Sequence, residues 1–268
     1  MTRLVRLLQA EFIRTLILRW RYPLELFTGL TVMYLIFLGL FLGARSLVGE
    51  TKSFELSLSG FIVSYLMWFF AISALSRLTY SIEVESSQGV LEQIYLNYPR
   101  YLLLQYVRGF VDFIEGLIFI AVLLGLILLT TQKALLMDWG NAGPVALVVI
   151  LTVIGLQGFG FLFGGLALLF KRIGQVGGVL QFGFFLLAYL PVERMSTAGQ
   201  HLLYSLPLTQ GIRLLKLALV EGRPILAAVN LGMLSGLVVN SLCYLLIGSA
   251  FFLLCEKKAK IDGRLGQY

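Results

Sequence analysis

The chain has 268 residues, of which 59% are hydrophobic and 13% are charged, and its formal net charge is +7. Soluble domains carry about twice this charged fraction, so the composition excludes an ordinary soluble protein. No soluble basic region is left that could hold a nucleic acid. The positive charge therefore indicates membrane topology and lipid contact.

Residues 3–21 form an arginine-rich segment in which leucine and aromatic residues recur at helical spacing. A basic amphipathic helix of this kind lies in the membrane interface, with its arginines towards anionic headgroups. Arginine is spread through the segment, and no short apolar core ends at a small-residue cleavage site, so a signal peptide is not predicted. A disordered tail that only sets topology is the alternative interpretation.

Six runs with few charges predict six transmembrane helices, because a hydrocarbon core about 30 Å thick requires roughly 20 apolar residues of helix. Their length and their lack of alternation favour helices over barrel strands. The sequence therefore predicts an all-α membrane protein with one transmembrane domain over residues 1–268. The predicted spans cover residues 24–44, 56–77, 101–131, 142–170, 173–191 and 225–254.

Lysine and arginine indicate the orientation of these spans. About two thirds of the 21 basic residues fall on the side that holds both termini, and such an excess marks the cytoplasmic side. Both termini are therefore predicted to be cytoplasmic. The outer connection 194–222 mixes apolar residues with Ser, Thr, Gln and His and is interrupted by Pro207. It is predicted to form two short helices that dip into the outer leaflet and pack on the bundle.

Pairs of small residues four positions apart let helix backbones approach closely in a membrane. Ordinary packing within the chain is the expected role of these pairs, and a dimer interface is not signalled. The pairs are Gly39/Gly43, Gly160/Gly164, Gly174/Gly178 and Gly232/Gly236.

Asp112 and Glu115 are unusual because they fall at or just inside the start of the third predicted span, where charge is costly. Arg108 lies one helical turn before Asp112, so a neutralising pair between them is expected. An ion-coupled carrier could use the same two acids, and this alternative stays open.

The stretch EVESSQGVLEQIYLNYPR, residues 83–100, lies between the second and third spans. Residues 83–98 are predicted to form one amphipathic helix, with Val84, Leu91, Ile94, Tyr95 and Tyr98 on one side, Gly89 relieving crowding near its middle and Pro99 ending it. Three acids and no lysine disfavour an anionic lipid surface. Insertion into the groove of a partner protein is the better interpretation.

Enzymatic chemistry is not predicted. The chain has no G-x-x-x-x-G-K-[ST] phosphate loop, and His201 is its one histidine, so neither a catalytic residue nor a metal site or cofactor site is expected on this chain.

The motif Glu85, Gly89, Leu91, Glu92 and Pro99 resembles the cytoplasmic coupling segment of bacterial ATP-binding-cassette exporter permeases of the second type. The family usually has threonine at position 90 and ends the motif one residue earlier. The segment YSLPLTQGIRLLK after the fifth span, with Pro207, Leu208, Thr209 and Arg213, is similar to the outer re-entrant hairpin of that family, and Pro191 also fits it.

The resemblance implies a permease subunit of the prokaryotic plasma (inner) membrane, working with a second permease chain, identical or not. Two copies of a separate ATPase subunit would bind ATP and Mg²⁺. The residues expected to dock the ATPase are Glu85, Gly89, Leu91, Glu92, Ile94, Tyr95 and Tyr98.

By the same resemblance, the second and fifth spans line the transport path, and an aromatic lining suits a glycan, a lipid or an amphipathic drug. Ordinary packing or lipid contact is the alternative role for these rings. The expected path residues are Phe61, Tyr65, Trp68, Phe69, Gln181, Phe184, Phe185 and Tyr189.

Overall fold

The computed structural model describes residues 2–48, 52–98, 100–132, 139–170, 173–192 and 195–263. Within these ranges the chain is helical and contains no β-strand, so the predicted all-α fold is confirmed. A short 3₁₀ turn, Trp139–Asn141, precedes α6. The helices are α1 Thr2–Arg21, α2 Pro23–Val48, α3 Lys52–Ser87, α4 Leu91–Asn97, α5 Tyr101–Thr131, α6 Ala142–Phe170, α7 Gly174–Tyr189, α8 Thr197–Tyr204, α9 Pro207–Leu219 and α10 Ala228–Ile261.

Five of the described helices, α2, α3, α5, α6 and α10, are long and apolar enough to cross a membrane. The predicted spans 101–131 and 142–170 coincide with α5 and α6. Helix α3 contains the predicted span 56–77 and continues ten residues further, to Ser87. The predicted span 173–191 corresponds to α7, whose 16 residues extend about 24 Å at 1.5 Å per residue. The sixth crossing therefore stays a prediction.

Helix α6 is the centre of the bundle because its glycines admit other helices. A methyl group on Gly160 would overlap the Ala74 carbonyl of α3, and one on Gly158 would overlap the Tyr244 carbonyl of α10. Gly164 likewise lies against Leu78 of α3. The expected role of Gly160 and Gly164 in packing within the chain is confirmed. Gly39, Gly43, Gly178 and Gly232 have no heavy atom within 4 Å of the Cβ position.

The predicted connection 194–222 contains two short helices, α8 and α9. Most of α9 is buried, and its Gly211 lies against Thr152 of α6. Gln210 donates to Met233 O at 2.9 Å, and Asn240 of α10 donates to Gln210 Oε1 at 2.7 Å. These bonds attach α9 to α10 through polar groups that would be costly to leave unpaired.

The ends of several helices meet on one side of the bundle. A buried cluster joins Ile82 of α3, Tyr101 of α5 and Phe252 of α10, and Leu7 of α1 packs against it. The predicted terminator Pro99, the loop at 133–138 and the basic pair Lys171 and Arg172 lie outside the described residues. The cytoplasmic location of this side of the bundle stays a prediction.

Candidate functional site

The acidic stretch is not one helix, as predicted, but a helix end, a turn and a second helix. Helix α3 ends at Ser87, and Gly89 follows with φ +67°. Gly89 N donates to Ser86 O at 3.0 Å, and Val90 N donates to Glu85 O at 3.0 Å. This is the Schellman arrangement, which requires a left-handed residue. Gly89 is therefore required by the turn. It does not relieve crowding, contrary to the prediction, since its Cβ position is open.

Replacing Gly89 by alanine is expected to lower the free energy of unfolding by about 1 kcal/mol, because an L side chain is strained in the left-handed region. The measurement is denaturant unfolding of the purified chain in micelles, followed by circular dichroism. Gly43→Ala is the control, since Gly43 is helical and its Cβ position is equally open. Equal effects of the two changes would contradict the role of the turn.

The inner side of α4 belongs to the core of the chain itself. Leu91 is 2% exposed, and the Tyr95 and Tyr101 rings lie 4.4 Å apart between centroids. The ammonium of Lys260, on α10, lies 4.7 Å from the centroid of Tyr95. Burial raises the pKa of the Tyr95 phenol far above its usual range, with smaller effects of the same sign from Tyr101, Glu256 and Glu85. Tyr95 is therefore a neutral anchor of α4.

Two carboxylates attach the end of α3 to neighbouring helices. Glu85 is 8% exposed and accepts from Tyr101 Oη at 2.8 Å and from Arg108 Nη1 at 2.5 Å. Glu83 accepts from the backbone N–H of Ile173, the residue before α7, at 2.7 Å. Displacement of this segment would therefore be transmitted directly to α5 and α7.

The predicted docking residues consequently divide into two groups. Glu85, Leu91 and Tyr95 are buried in the chain itself. They therefore offer a partner no accessible surface in this conformation. Gly89, Glu92 and Tyr98 are exposed, and Ile94 is half-buried. Leu96, which the sequence analysis missed, is 79% exposed. It lies one helical turn after Glu92, so both side chains are on the same side of α4. This spacing in the sequence was the signal that could have identified Leu96 as a docking residue.

The aromatic residues of α3 and α7 meet along a seam of packed rings. Phe61 and Tyr189 lie 4.8 Å apart between ring centroids, and Trp68 and Phe185 lie 5.0 Å apart. Trp68 Nε1 donates to the Gln181 carbonyl at 3.2 Å. Four of the eight predicted path residues are thus ring partners in one seam, and Gln181 is bonded to it.

The other three predicted path residues point to different neighbours. Tyr65 donates to the Met33 carbonyl of α2 at 2.5 Å, and Phe69 stacks on Phe119 of α5 at 4.7 Å. Phe184 contacts Phe159 of α6 at 5.5 Å. In the single chain these three rings connect helices, which is the packing role that the sequence analysis gave as the alternative.

The acids of α5 lie deeper than predicted and have other partners. Helix α5 begins at Tyr101, so Asp112 and Glu115 are about three and four turns inside it. Arg77 Nη1 of α3 donates to Asp112 at 2.7 Å and to Glu115 at 3.0 Å. Arg19 of α1 also pairs with Glu115. The expected pair between Arg108 and Asp112 was wrong, because Arg108 bonds Glu85 and Glu11 instead.

A cavity of about 870 Å³ opens between α1, α3, α5 and α6, and these ion pairs lie on its wall. Its charged lining residues are Glu11, Arg14, Arg19, Glu25, Arg77, Arg108, Asp112 and Glu115. It is separate from the aromatic seam between α3 and α7.

The structure defines an all-helical chain with five helices long and apolar enough to span a membrane, compatible with a multi-pass membrane protein. No protein-family model matches the sequence, and no curated protein matches it.

Proposed function

We propose that the chain is the membrane-spanning permease subunit of an ATP-driven exporter. A separate ATPase subunit binds α4 and moves the permease through this helix. The observation that carries this proposal is the two-sided character of α4. Leu91 and Tyr95 anchor its inner side. Glu92 and Leu96 on this helix, and Tyr98 directly after it, are exposed and lie outside the long apolar spans. An exposed leucine beside an acid and an aromatic ring suits a protein groove.

The proposed arrangement has six crossings, with α7 as the short fifth one. A helix of about 24 Å spans most of a core about 30 Å thick, and α8 and α9 fill the outer leaflet beside it. Both termini and α4 then lie in the cytoplasm of a prokaryote, and α1 lies in the inner interface. The resemblance of the motif around Glu92 to the exporter family supports this orientation.

The proposed mechanism is mechanical. Two permease chains, identical or different, each hold one ATPase, and ATP with Mg²⁺ closes the ATPases on each other. Because α4 is attached to α3, α5 and α10, and Glu83 connects α3 to the start of α7, drawing the two α4 helices together rotates both bundles. ATP binding has to favour the closed state by about 5.5 kcal/mol to reverse a 1:99 population.

The path that this rotation opens is assigned to the aromatic seam of α3 and α7. Its rings pack on each other in the single chain, and Trp68 and Gln181 are already bonded across it. When the rings of the seam move apart, they expose flat aromatic faces to a path between the two chains. Such faces suit a glycan, a lipid or an amphipathic drug as cargo.

The test is co-purification with a soluble ATPase that has a phosphate loop, which the proposal expects a neighbouring gene to encode. Leu96→Ala and Glu92→Ala together are expected to reduce retention of that ATPase at least about tenfold, the effect of losing 1.4 kcal/mol, and to abolish substrate-stimulated hydrolysis. Leu202→Ala is the matched control, because Leu202 is 70% exposed but lies on α8. Unchanged retention by the α4 variant would overturn the assigned docking surface.

An ion-coupled carrier predicts a different result. Asp112 and Glu115 are held by Arg77 and Arg19, which favours a structural role, but a carrier would use them without any ATPase. Under the exporter proposal, the chain reconstituted alone in vesicles is expected to move no solute under a pH or sodium gradient. Gradient-driven uptake that is lost in Asp112→Asn would refute the exporter proposal.

A further inference from the structure

The cavity between α1, α3, α5 and α6 lies outside the proposed transport path. Its volume of about 870 Å³ is in the range of sites that bury a small amphiphile. It lies on the far side of α3 from the seam with α7, because Phe70 and Arg77 face it while Trp68 faces α7. A ligand here would therefore be distinct from cargo in the seam.

The lining of the cavity combines two kinds of residue. Charged residues of α1 and the start of α2, including Arg14 and Glu25, line it together with Phe70, Phe113 and Val153 from three other helices. A molecule that contacts both kinds has a charged headgroup and a hydrocarbon portion, since apolar surface gains from burial and charge does not.

The charges on the wall are balanced, with four arginines and four carboxylates. A purely anionic ligand would pair with the arginines and leave their carboxylate partners unpaired. A purely cationic ligand would leave the arginines unpaired in the same way. Either result is costly in a poorly hydrated site. A headgroup that carries both signs can replace a protein ion pair with two ligand ion pairs, so no charge is stranded.

The ion pairs at the mouth are the ones that such a headgroup can exchange. Arg14 is 52% exposed in its pair with Glu11, and Glu25 is 74% exposed and lies 3.9 Å from Arg19. Exposed pairs of this kind contribute about 0–1 kcal/mol. The pairs of Arg77 and Arg108 are shorter and less exposed, so they stay in place and form the floor of the headgroup site.

We propose that this cavity binds a zwitterionic amphiphile, with a phosphate or carboxylate towards Arg14, an amine towards Glu25, and the hydrocarbon portion against Phe70 and Phe113. The source that fits a membrane chain is a phospholipid with an ethanolamine-type headgroup entering from the leaflet in which α1 lies. This inference does not require the proposed transport function, because the site is complete within one chain.

The experiment measures equilibrium binding of a fluorescent short-chain phosphatidylethanolamine to the full-length chain in an uncharged detergent. Ser73→Phe places a ring in the cavity from α3 and is expected to weaken binding at least about tenfold. Ser235→Phe is the matched control, because Ser235 is exposed on α10 and is expected to leave binding unchanged. Arg14→Gln removes the cation assigned to the phosphate, and it is expected to weaken binding several-fold while the chain stays folded, because Arg14 is 52% exposed.

Three competitors separate the possible ligand sources. The lipid is expected to displace the probe, whereas glycerophosphoethanolamine alone should displace it only at far higher concentration, because it lacks the apolar portion. A neutral alkyl maltoside of the same chain length is expected not to compete. Competition by the maltoside as strong as that by the lipid, or unchanged probe binding in both Ser73→Phe and Arg14→Gln, would overturn the proposal.

Discussion

Replacing Gly158 by alanine is expected to lower the free energy of unfolding by about 3 kcal/mol, at the top of the usual range for overpacking. A methyl group there would overlap the Tyr244 carbonyl and approach Leu245 N, both backbone atoms of α10. A backbone cannot rotate out of the way as a side chain can, so the two helices must separate. Gly248 of α10 meets the Gly158 carbonyl in the same contact.

Gly125→Ala in α5 is the control, because no heavy atom lies within 4 Å of its Cβ position. Alanine is the better helix former by about 1 kcal/mol, so this variant is expected to be as stable as the parent or more so. Unfolding in mixed micelles, followed by circular dichroism, measures both. A Gly158→Ala variant as stable as Gly125→Ala would mean that α6 and α10 are not in close contact.

The sequence predicted close approach at α6 but not its partners. Spacing of small residues identifies a face that can be approached, yet α3, α9 and α10 all compete for contact with it. The structure gives Gly160 to α3, Gly155 to α9 and Gly158 to α10. Which helix takes which glycine depends on the packing of the whole bundle, and no local pattern contains it.

Helix ends were harder to predict than helix centres. Hydropathy gave α5 and α6 with the right bounds, because charged or polar loops flank them. Hydropathy also places the end of the second span near Arg77, since a charge commonly marks a membrane boundary. The helix itself continues past Arg77, which pairs with Asp112 and Glu115 of α5. The apolar pattern of residues 83–98 then concealed the turn at Gly89.

Local rules also chose the wrong ion pair. Arg108 and Asp112 have the helical spacing that favours a pair, but residues from two other helices, α1 and α3, reach the same site. Arg77 takes Asp112, and Glu85 and Glu11 take Arg108. The separation along the chain between Arg77 and Asp112 is too large for periodicity to register. The buried roles of Glu85 and Tyr95 were missed for the same reason.

Replacing Arg77 by glutamine is expected to destabilise the chain by about 3 kcal/mol. This variant leaves Asp112 and Glu115 close together without the cation between them, and breaking a buried pair by removing one partner costs about 3–5 kcal/mol. The lower end applies because Arg77 and Asp112 are each about 30% exposed. Glu115 keeps Arg19 of α1, so Asp112 is the carboxylate that loses most.

The rescue variant separates stranded charge from lost packing. Adding Asp112→Asn to Arg77→Gln removes the uncompensated carboxylate, and replacing a whole buried pair is often close to neutral. The double variant is therefore expected to recover most of the lost stability in a double-mutant cycle. Unfolding midpoints of the single variants and the double variant in the same micelles provide the measurement. Additive losses would mean that the Arg77 side chain stabilises α3 by its packing alone, and that α3 and α5 are not joined through Asp112.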